Sequence, residues 1–461
     1  MQNIAVTASG PALCSTSTKS KLKRVDKLTR RLYCAYWCLF LGFLGCGIIM
    51  PPAIGDAPGT SYQILNYSTL LCLCVMIYLS AKHYFTVMRK LIETPAGIGY
   101  SCFLMILIVL ELVNGVVCNE GGVENIRMMI LEFLPMMALV TIFPVATSKN
   151  LQYLFINALP VQSLLAGLVG FSIVMRLPIE YGRLNVDSPH FFAMNLSSIA
   201  IMACAGLHVY NLRQKLFAIA GLLLYFFVLI SYQSRGGSLN AFVIFPIALC
   251  LVQRKAKRIN TRSILLVVLS VLVIAPLTFI VAIQSSFVRE NLEIGRSGTI
   301  DRLLGGQYET SLTRGLESSF ETEITDVRGA EAEEFVSRSS GFTWLFGHGW
   351  GGGWYPSWSI ASGLFWRMVH FGPLHLVLKG GIALSLIFMA LFAFAMINAW
   401  KAAPYEPYAP AAFCFLLFYF VDFIKHGPVL NAYYFYCVWF ALGIALSFRV
   451  PRMRREQAAN R

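Results

Sequence analysis

Three arginines, three histidines and one lysine stand out in this 461-residue chain, because they occupy turns and apolar stretches where little else is charged. Arg183 lies in Glu180-Tyr181-Gly182-Arg183-Leu184-Asn185, and Arg235 in the short turn Ser234-Arg235-Gly236-Gly237-Ser238. Arg328 precedes the glycine-rich run from Phe346 to Trp354. A guanidinium stays charged and forks to two oxygens, so arginines held in turns suit phosphate or carboxylate recognition. The plainer alternative is pairing with nearby acids, but Arg235 has none close by in sequence. His370 precedes a long apolar run and, titrating near neutrality, is a candidate general acid or base. His375, five positions on, points roughly 140° away on a helix, while Lys379 falls on the same helical face as His375. An intramembrane lysine needs a partner or a polar cavity, and Glu111, Glu132 and Asp422 are the acids available within apolar runs. Lys379 and His375 therefore read either as structural, the lysine in an ion pair, or as part of a binding site for an acceptor or donor substrate. His348, set between glycines, reads as packed or hydrogen-bonded sooner than catalytic. No metal site is expected, since the histidine spacing is wrong for a helical pair. No P-loop, dinucleotide fingerprint or nucleophile elbow occurs either.

The elements that must position these residues follow from composition. Hydrophobic residues make up 57% of the chain and charged residues 13%, too few charges to cover a soluble surface of this size. Twelve apolar runs can cross a bilayer core as helices: 33–52, 65–81, 99–118, 128–147, 152–175, 190–210, 216–232, 238–253, 263–285, 371–399, 409–424 and 431–448. The expected fold is an all-α polytopic membrane protein. It divides into a basic N-terminal tail (1–32), nine spans (33–285), one large loop (286–370), three spans (371–448) and a basic C-terminal tail (449–461). The net charge of +14 could suggest nucleic acid, but the basic residues do not gather on a folded polar face. They sort by side instead. The two tails and alternate connections hold 24 of the 37 basic residues and four of the 23 acids, so that side carries +20 and the rest −6. By the positive-inside rule both termini are cytoplasmic. The twelve cysteines form no CxxC pair, and all but Cys14 lie within or beside apolar runs, as small packing residues do.

The loop 286–370 faces the other side. It holds eleven acids, seven arginines, no lysine and five of the eight tryptophans. A loop this long is functional or disordered, and its aromatics argue against disorder. The sequence predicts helix over 310–340, ending at Ser339-Ser340-Gly341, followed by a tight, backbone-exposed glycine turn. The segment should fold as a cap, its tryptophans serving either sugar faces or membrane anchoring.

These motifs together resemble the O-antigen ligase and Wzy-type polysaccharide polymerase superfamily. Ser234-Arg235-Gly236-Gly237 is similar to the family's SRG turn. Gly182-Arg183-Leu184 followed by Ser188-Pro189-His190 resembles its arginine segment, with His190 where Asn is usual. Leu345-Phe346-Gly347-His348-Gly349 resembles the turn that ends the family's outer loop, and His370, Leu374 and Gly381 reproduce its histidine motif. The likeness covers roughly 180–400. The chain departs at Phe371, where Asn is usual, at Lys379, where an acid is common, and at Asn240, which replaces a small apolar residue.

The resemblance implies a GT-C-like transferase of the bacterial inner membrane with its large loop in the periplasm. Such an enzyme moves glycan units from an undecaprenyl-pyrophosphate carrier to an acceptor hydroxyl, with no metal or cofactor. Arg183, Arg235 and Arg328 would hold the pyrophosphate, and His370 would assist the acceptor. The acceptor would be a second glycan unit or a lipid A core sugar, with a flippase and a chain-length regulator as further partners. The sequence leans towards a polymerase over a ligase or a protein oligosaccharyltransferase. Outside this class, a polysaccharide flippase or secondary transporter is the alternative, and it predicts broken helices and inverted repeats.

Overall fold

The computed structural model describes residues 157–176, 196–232, 240–256, 327–349, 353–356, 369, 371–426 and 432–448, with scattered positions in 30–45 and 93–113. Helix accounts for 86% of this part and no strand occurs within it, as an all-α chain requires. The runs 65–81, 128–147 and 263–285 lie outside the described residues, as does the predicted helix before Val327.

Helix α1 (Leu159–Arg176) is followed by α2 (Ile199–Ala205), a single 3-10 turn (Leu207–Val209) and α3 (Leu212–Tyr232). Small residues let α1 and α3 approach closely: a Cβ on Gly221 would meet the backbone of Ser163 at 2.6 and 2.7 Å. In a bilayer, where lipid is as apolar as leucine, such backbone proximity is a main source of helix adhesion. Every residue of α2 is buried, so this short helix is surrounded on all sides.

A π-helical turn (Asn240–Ile244) opens the next helix and runs into α4 (Phe245–Lys255). Pro246 explains the widened turn, because its ring would meet the carbonyl four residues back and it has no N–H to donate. Asn240 is fully buried and its Nδ2 donates to the Phe418 carbonyl at 3.2 Å.

In the predicted cap, α5 (Val327–Arg338) and α6 (Gly341–Phe346) are joined by Ser339-Ser340. Ser340 caps α6, its Oγ accepting from the Thr343 N–H. The long helix α7 (Gly372–Ala402) follows, then α8 (Ala409–His426) and α9 (Ala432–Ser447). Helix α8 is the hub, packing against α2, α4, α7 and α9. Its aromatic ladder with α7 runs antiparallel: Trp400 on Phe413, Phe392 on Tyr419, Phe388 on Phe423. Cys204 and Cys414 are buried in this core, and the described cysteines are unbridged.

Among the described residues, three connections that carry positive charge meet at one end of the bundle. His208 Nε2 contacts the Pro407 carbonyl at 2.8 Å, and Gln253 Nε2 contacts His208 Nδ1 at 3.3 Å. That tie joins the ends of α2, α4 and α7, so Arg213, Lys215, Arg254, Lys255 and Lys401 share a side.

The tenth predicted run is not one continuous helix. At Gly380 (φ −142°, ψ 21°) and Gly381 (φ 74°, ψ −177°) the backbone leaves the helical region. The break divides α7 into α7a (372–379) and α7b (382–402), and α7a folds back beside α7b. Pro373 and Ser385 would stand about 18 Å apart along an unbroken helix. Instead, Ser385 Oγ donates to the Pro373 carbonyl at 3.2 Å. Gly372 and Phe388 likewise both lie against Phe423. Among the described residues two helices are long and apolar enough to cross a membrane, Leu212–Leu229 within α3 and Gly372–Ala402. In the latter, α7b alone reaches about 31 Å, enough for a bilayer core.

Candidate functional site

The fold gathers two of the motif stretches at the α7 break. The turn Leu345–Gly349 sits directly on it, backbone against backbone. His348 N–H donates to the Leu378 carbonyl at 2.6 Å and Gly349 N–H to the Lys379 carbonyl at 3.0 Å. These are last-turn carbonyls of α7a, which no residue further along that helix can satisfy. A Cβ on Gly347 would stand 2.6 to 2.8 Å from Gly380 N, Lys379 C and Gly381 N. A Cβ on Gly381 would meet the Leu345 carbonyl and stand 2.7 Å from Phe346 N. Over 347–349 the glycine turn is therefore covered, not backbone-exposed as the sequence suggested: Gly347 and Gly349 are buried, and the His348 and Gly349 amides are spent on α7a.

One side of α7a belongs to the cap. Phe335, Trp354, Val369, Val377 and Leu378 form a small core, with Trp344 and Leu374 packed against it. Phe335 and Trp354 meet edge to face at 5.6 Å. Trp344 and Trp354 are thus part of the cap's own core. Trp354 is buried there and Trp344 partly so, because the cap has to bury apolar area of its own to hold its shape. Trp350, Trp358 and Trp366 lie outside the described residues. The other side of α7a faces the helical bundle through Leu376 and through Gly372 on Phe423.

The fold-back reverses the direction expected for the candidate residues. Read as a continuous helix, His375 would lie about one and a half turns deeper than His370, with Lys379 deeper still. In the structure α7a runs towards the break, so Lys379 stands at the break beneath the glycine turn, and the start of α7a lies level with Ser385 and Phe388 of α7b. Lys379 is 3% exposed and His375 5% exposed, a burial that only satisfied polar groups tolerate. A cation at the last residue of a half-helix is favoured by the partial negative charge of its carbonyl end. Asp422, also buried, directly precedes the residue on which Gly372 packs, placing a carboxylate-bearing position near the opposite, positive end of α7a. Asp422 also lies within electrostatic range of Tyr225 and Tyr419.

His375 binds the chain on both sides of position 370. Its Nδ1 accepts the Val369 N–H at 3.4 Å, and its own N–H donates to the Phe371 carbonyl at 2.8 Å. His348 is hydrogen-bonded through Nε2 to Thr343 Oγ1 at 3.3 Å, inside the turn that it helps to shape. Arg328 is the second residue of α5. Arg183, Arg235 and His370 lie outside the described residues, although Val369 (fully buried) and Phe371 (N-cap of α7a) flank His370 directly. Among the described residues no group of three or more His, Cys, Asp or Glu is placed to hold a metal ion.

Sequence reasoning missed the break, though two signals for it were present. The apolar helix is 31 residues long where about 20 suffice to span, and Gly380-Gly381 interrupts it one residue after a lysine. Compared by sequence, the chain matches no protein-family model and no curated protein, so its function is argued from this site and the motifs that meet there.

Proposed function

We propose that the protein is an integral membrane glycosyltransferase of the O-antigen ligase and polysaccharide polymerase type. It spans a bacterial inner membrane twelve times, with both termini cytoplasmic and the 286–370 segment periplasmic. It moves glycan units from undecaprenyl pyrophosphate to an acceptor hydroxyl, and we favour a second lipid-linked unit as acceptor, in building a capsule, O-antigen or exopolysaccharide. In the transfer, the acceptor oxygen bonds to the anomeric carbon and the bond from that carbon to the pyrophosphate oxygen breaks. The lipid pyrophosphate leaves with the electron pair, and the acceptor proton passes to His370. Arg183, Arg235 and Arg328 offset the charge that develops on the leaving group, and His370 compensates for the weak nucleophilicity of a hydroxyl.

What supports this reading is the contact at the α7 break. Leu345–Gly349 and Gly381 belong to two motifs separated in sequence, and they meet with no side chain between them. The test uses a chromosomal deletion complemented with variants of the full chain. Arg235→Ala and His370→Ala should each abolish polymerised surface glycan at unchanged membrane abundance. Arg235→Lys should fail too, because an ammonium cannot replace a forked contact. Wild-type chain-length patterns in both alanine variants would refute the assignment.

One observation favours a second reading, a polysaccharide flippase or transporter: α7 is broken beside a buried lysine, as transporter helices often are. The deletion phenotype separates the two. Loss of a transferase leaves single units at the outer surface, whereas loss of a flippase leaves none there.

A further inference from the structure

We infer that α6 is an interfacial helix, its exposed face seated in the bilayer boundary on the cap's side, an inference that rests on the reading of α7b as a membrane span. The helix is built inside out for water. Phe342 and Leu345 are 43% and 57% exposed, Phe346 is half-buried, and the Phe342 and Phe346 rings lie 5.0 Å apart. These three positions, at spacings of three and four, share one helical face. The polar Thr343 is buried instead, its Oγ1 against His348 Nε2 at 3.3 Å. Helix α5, just before it in the chain, exposes Glu333, Ser337 and Arg338 beside Val336, as a water-facing surface does.

The depth of α6 follows from α7b. The exposed positions of α7b form one stripe at steps of three and four residues, Ile382, Leu386, Phe394 and Ile397 among them, and no charge occurs before Lys401. From Ile382 to Lys401 the helix rises about 28 Å, close to the roughly 30 Å of a hydrocarbon core. Lys401 belongs to the end where Arg213, Lys215, Arg254 and Lys255 gather, so Ile382 marks the opposite boundary. Helix α6 sits at that boundary, because a Cβ on Gly381, the residue before Ile382, would meet the Leu345 carbonyl. Its apolar face is thus level with the end of the lipid-facing stripe. Water would leave that face unburied, whereas an interfacial helix sinks its apolar side about 5–10 Å into the boundary between head groups and acyl chains. Seating α6 there holds the glycine turn and the end of α7a at the depth of lipid head groups.

The experiment reconstitutes the full chain in vesicles of phosphatidylethanolamine and phosphatidylglycerol, doped with a phosphatidylcholine that carries a diazirine near the glycerol end of one acyl chain. After irradiation, peptide mass spectrometry reads the yield of lipid adducts at each residue. Leu386, on the α7b stripe, is the lipid-facing reference, and Ser337 of α5 is the water-facing one. Interfacial seating predicts adducts at Phe342 and Leu345 within about threefold of Leu386 and about 10-fold or more above Ser337, because the probe stays in the acyl region that such a helix enters. Adducts at Leu386 with Phe342 and Leu345 no higher than Ser337 overturn the inference and leave α7b a span. That is the result expected if a protein segment or a second copy of the chain covers α6. Absence of adducts at Leu386 removes the reading of α7b as a span, and this inference with it.

Discussion

Replacing Gly381 by alanine should release α7a from the cap. Gly381 has φ 74° and ψ −177°, a region essentially confined to glycine, and an L-residue held there costs about 1–3 kcal/mol. The added Cβ would also run into the Leu345 carbonyl and stand 2.7 Å from Phe346 N, both backbone atoms that cannot rotate away. Overpacking of that kind typically costs about 1–3 kcal/mol more. The total, roughly 2–6 kcal/mol, falls on one short half-helix, so it should appear as local opening before global unfolding. Hydrogen exchange on the full chain in detergent reads this directly, because the His348 and Gly349 amides are protected only while they donate to Leu378 and Lys379. At 1.36 kcal/mol per factor of ten, the lower figure predicts exchange at those two amides at least about 30-fold faster in Gly381→Ala. Gly341→Ala is the control, since a Cβ at Gly341 meets nothing within 4 Å, and it should leave those amides unchanged. Wild-type protection of residues 348 and 349 in Gly381→Ala would refute the folded-back half-helix.

Two further substitutions test the packing around the site. Gly221→Val should force α1 and α3 apart, costing roughly 1–3 kcal/mol and lowering steady-state abundance in membranes; Ser163→Gly in the same chain should restore part of the loss, since Ser163 is what the new side chain meets. Asn398→Leu removes Nδ2 donations of 2.5 and 3.0 Å to the Ala445 and Phe448 carbonyls at the end of α9. It should cost about 1–3 kcal/mol and lower the thermal midpoint of the detergent-solubilised protein, whereas an unchanged midpoint would mean that these contacts carry no net stability.

Much of the secondary structure was legible because hydropathy and helix length are local properties. The runs at 152–175, 216–232, 409–424 and 431–448 correspond to α1, α3, α8 and α9 with ends shifted by a few residues. The helix expected to end at Ser339-Ser340-Gly341 does end there, at Arg338, because Ser340 caps a second helix instead of continuing the first. What stayed hidden concerns backbone direction and contact. Gly380 and Gly381 do not interrupt a hydropathy profile, so the run from 371 reads as one span. Trp344 and Trp354 look like any loop tryptophans until Phe335 and Leu378 are brought beside them.

The sequence by itself pointed to a helical class with membrane-spanning runs, since a chain with 13% charge has too little polar surface for water, and the described residues are helical with two helices long and apolar enough to cross a membrane. It also pointed to the residues worth following, because charges and histidines are scarce enough in apolar runs for each to need a reason. Only the tertiary structure decided which way α7a runs. That direction depends on one positive φ at Gly381 and on the cap's amides meeting the carbonyls of Leu378 and Lys379. No pattern within the helix encodes those partners, because they come from a turn some thirty residues earlier in the chain.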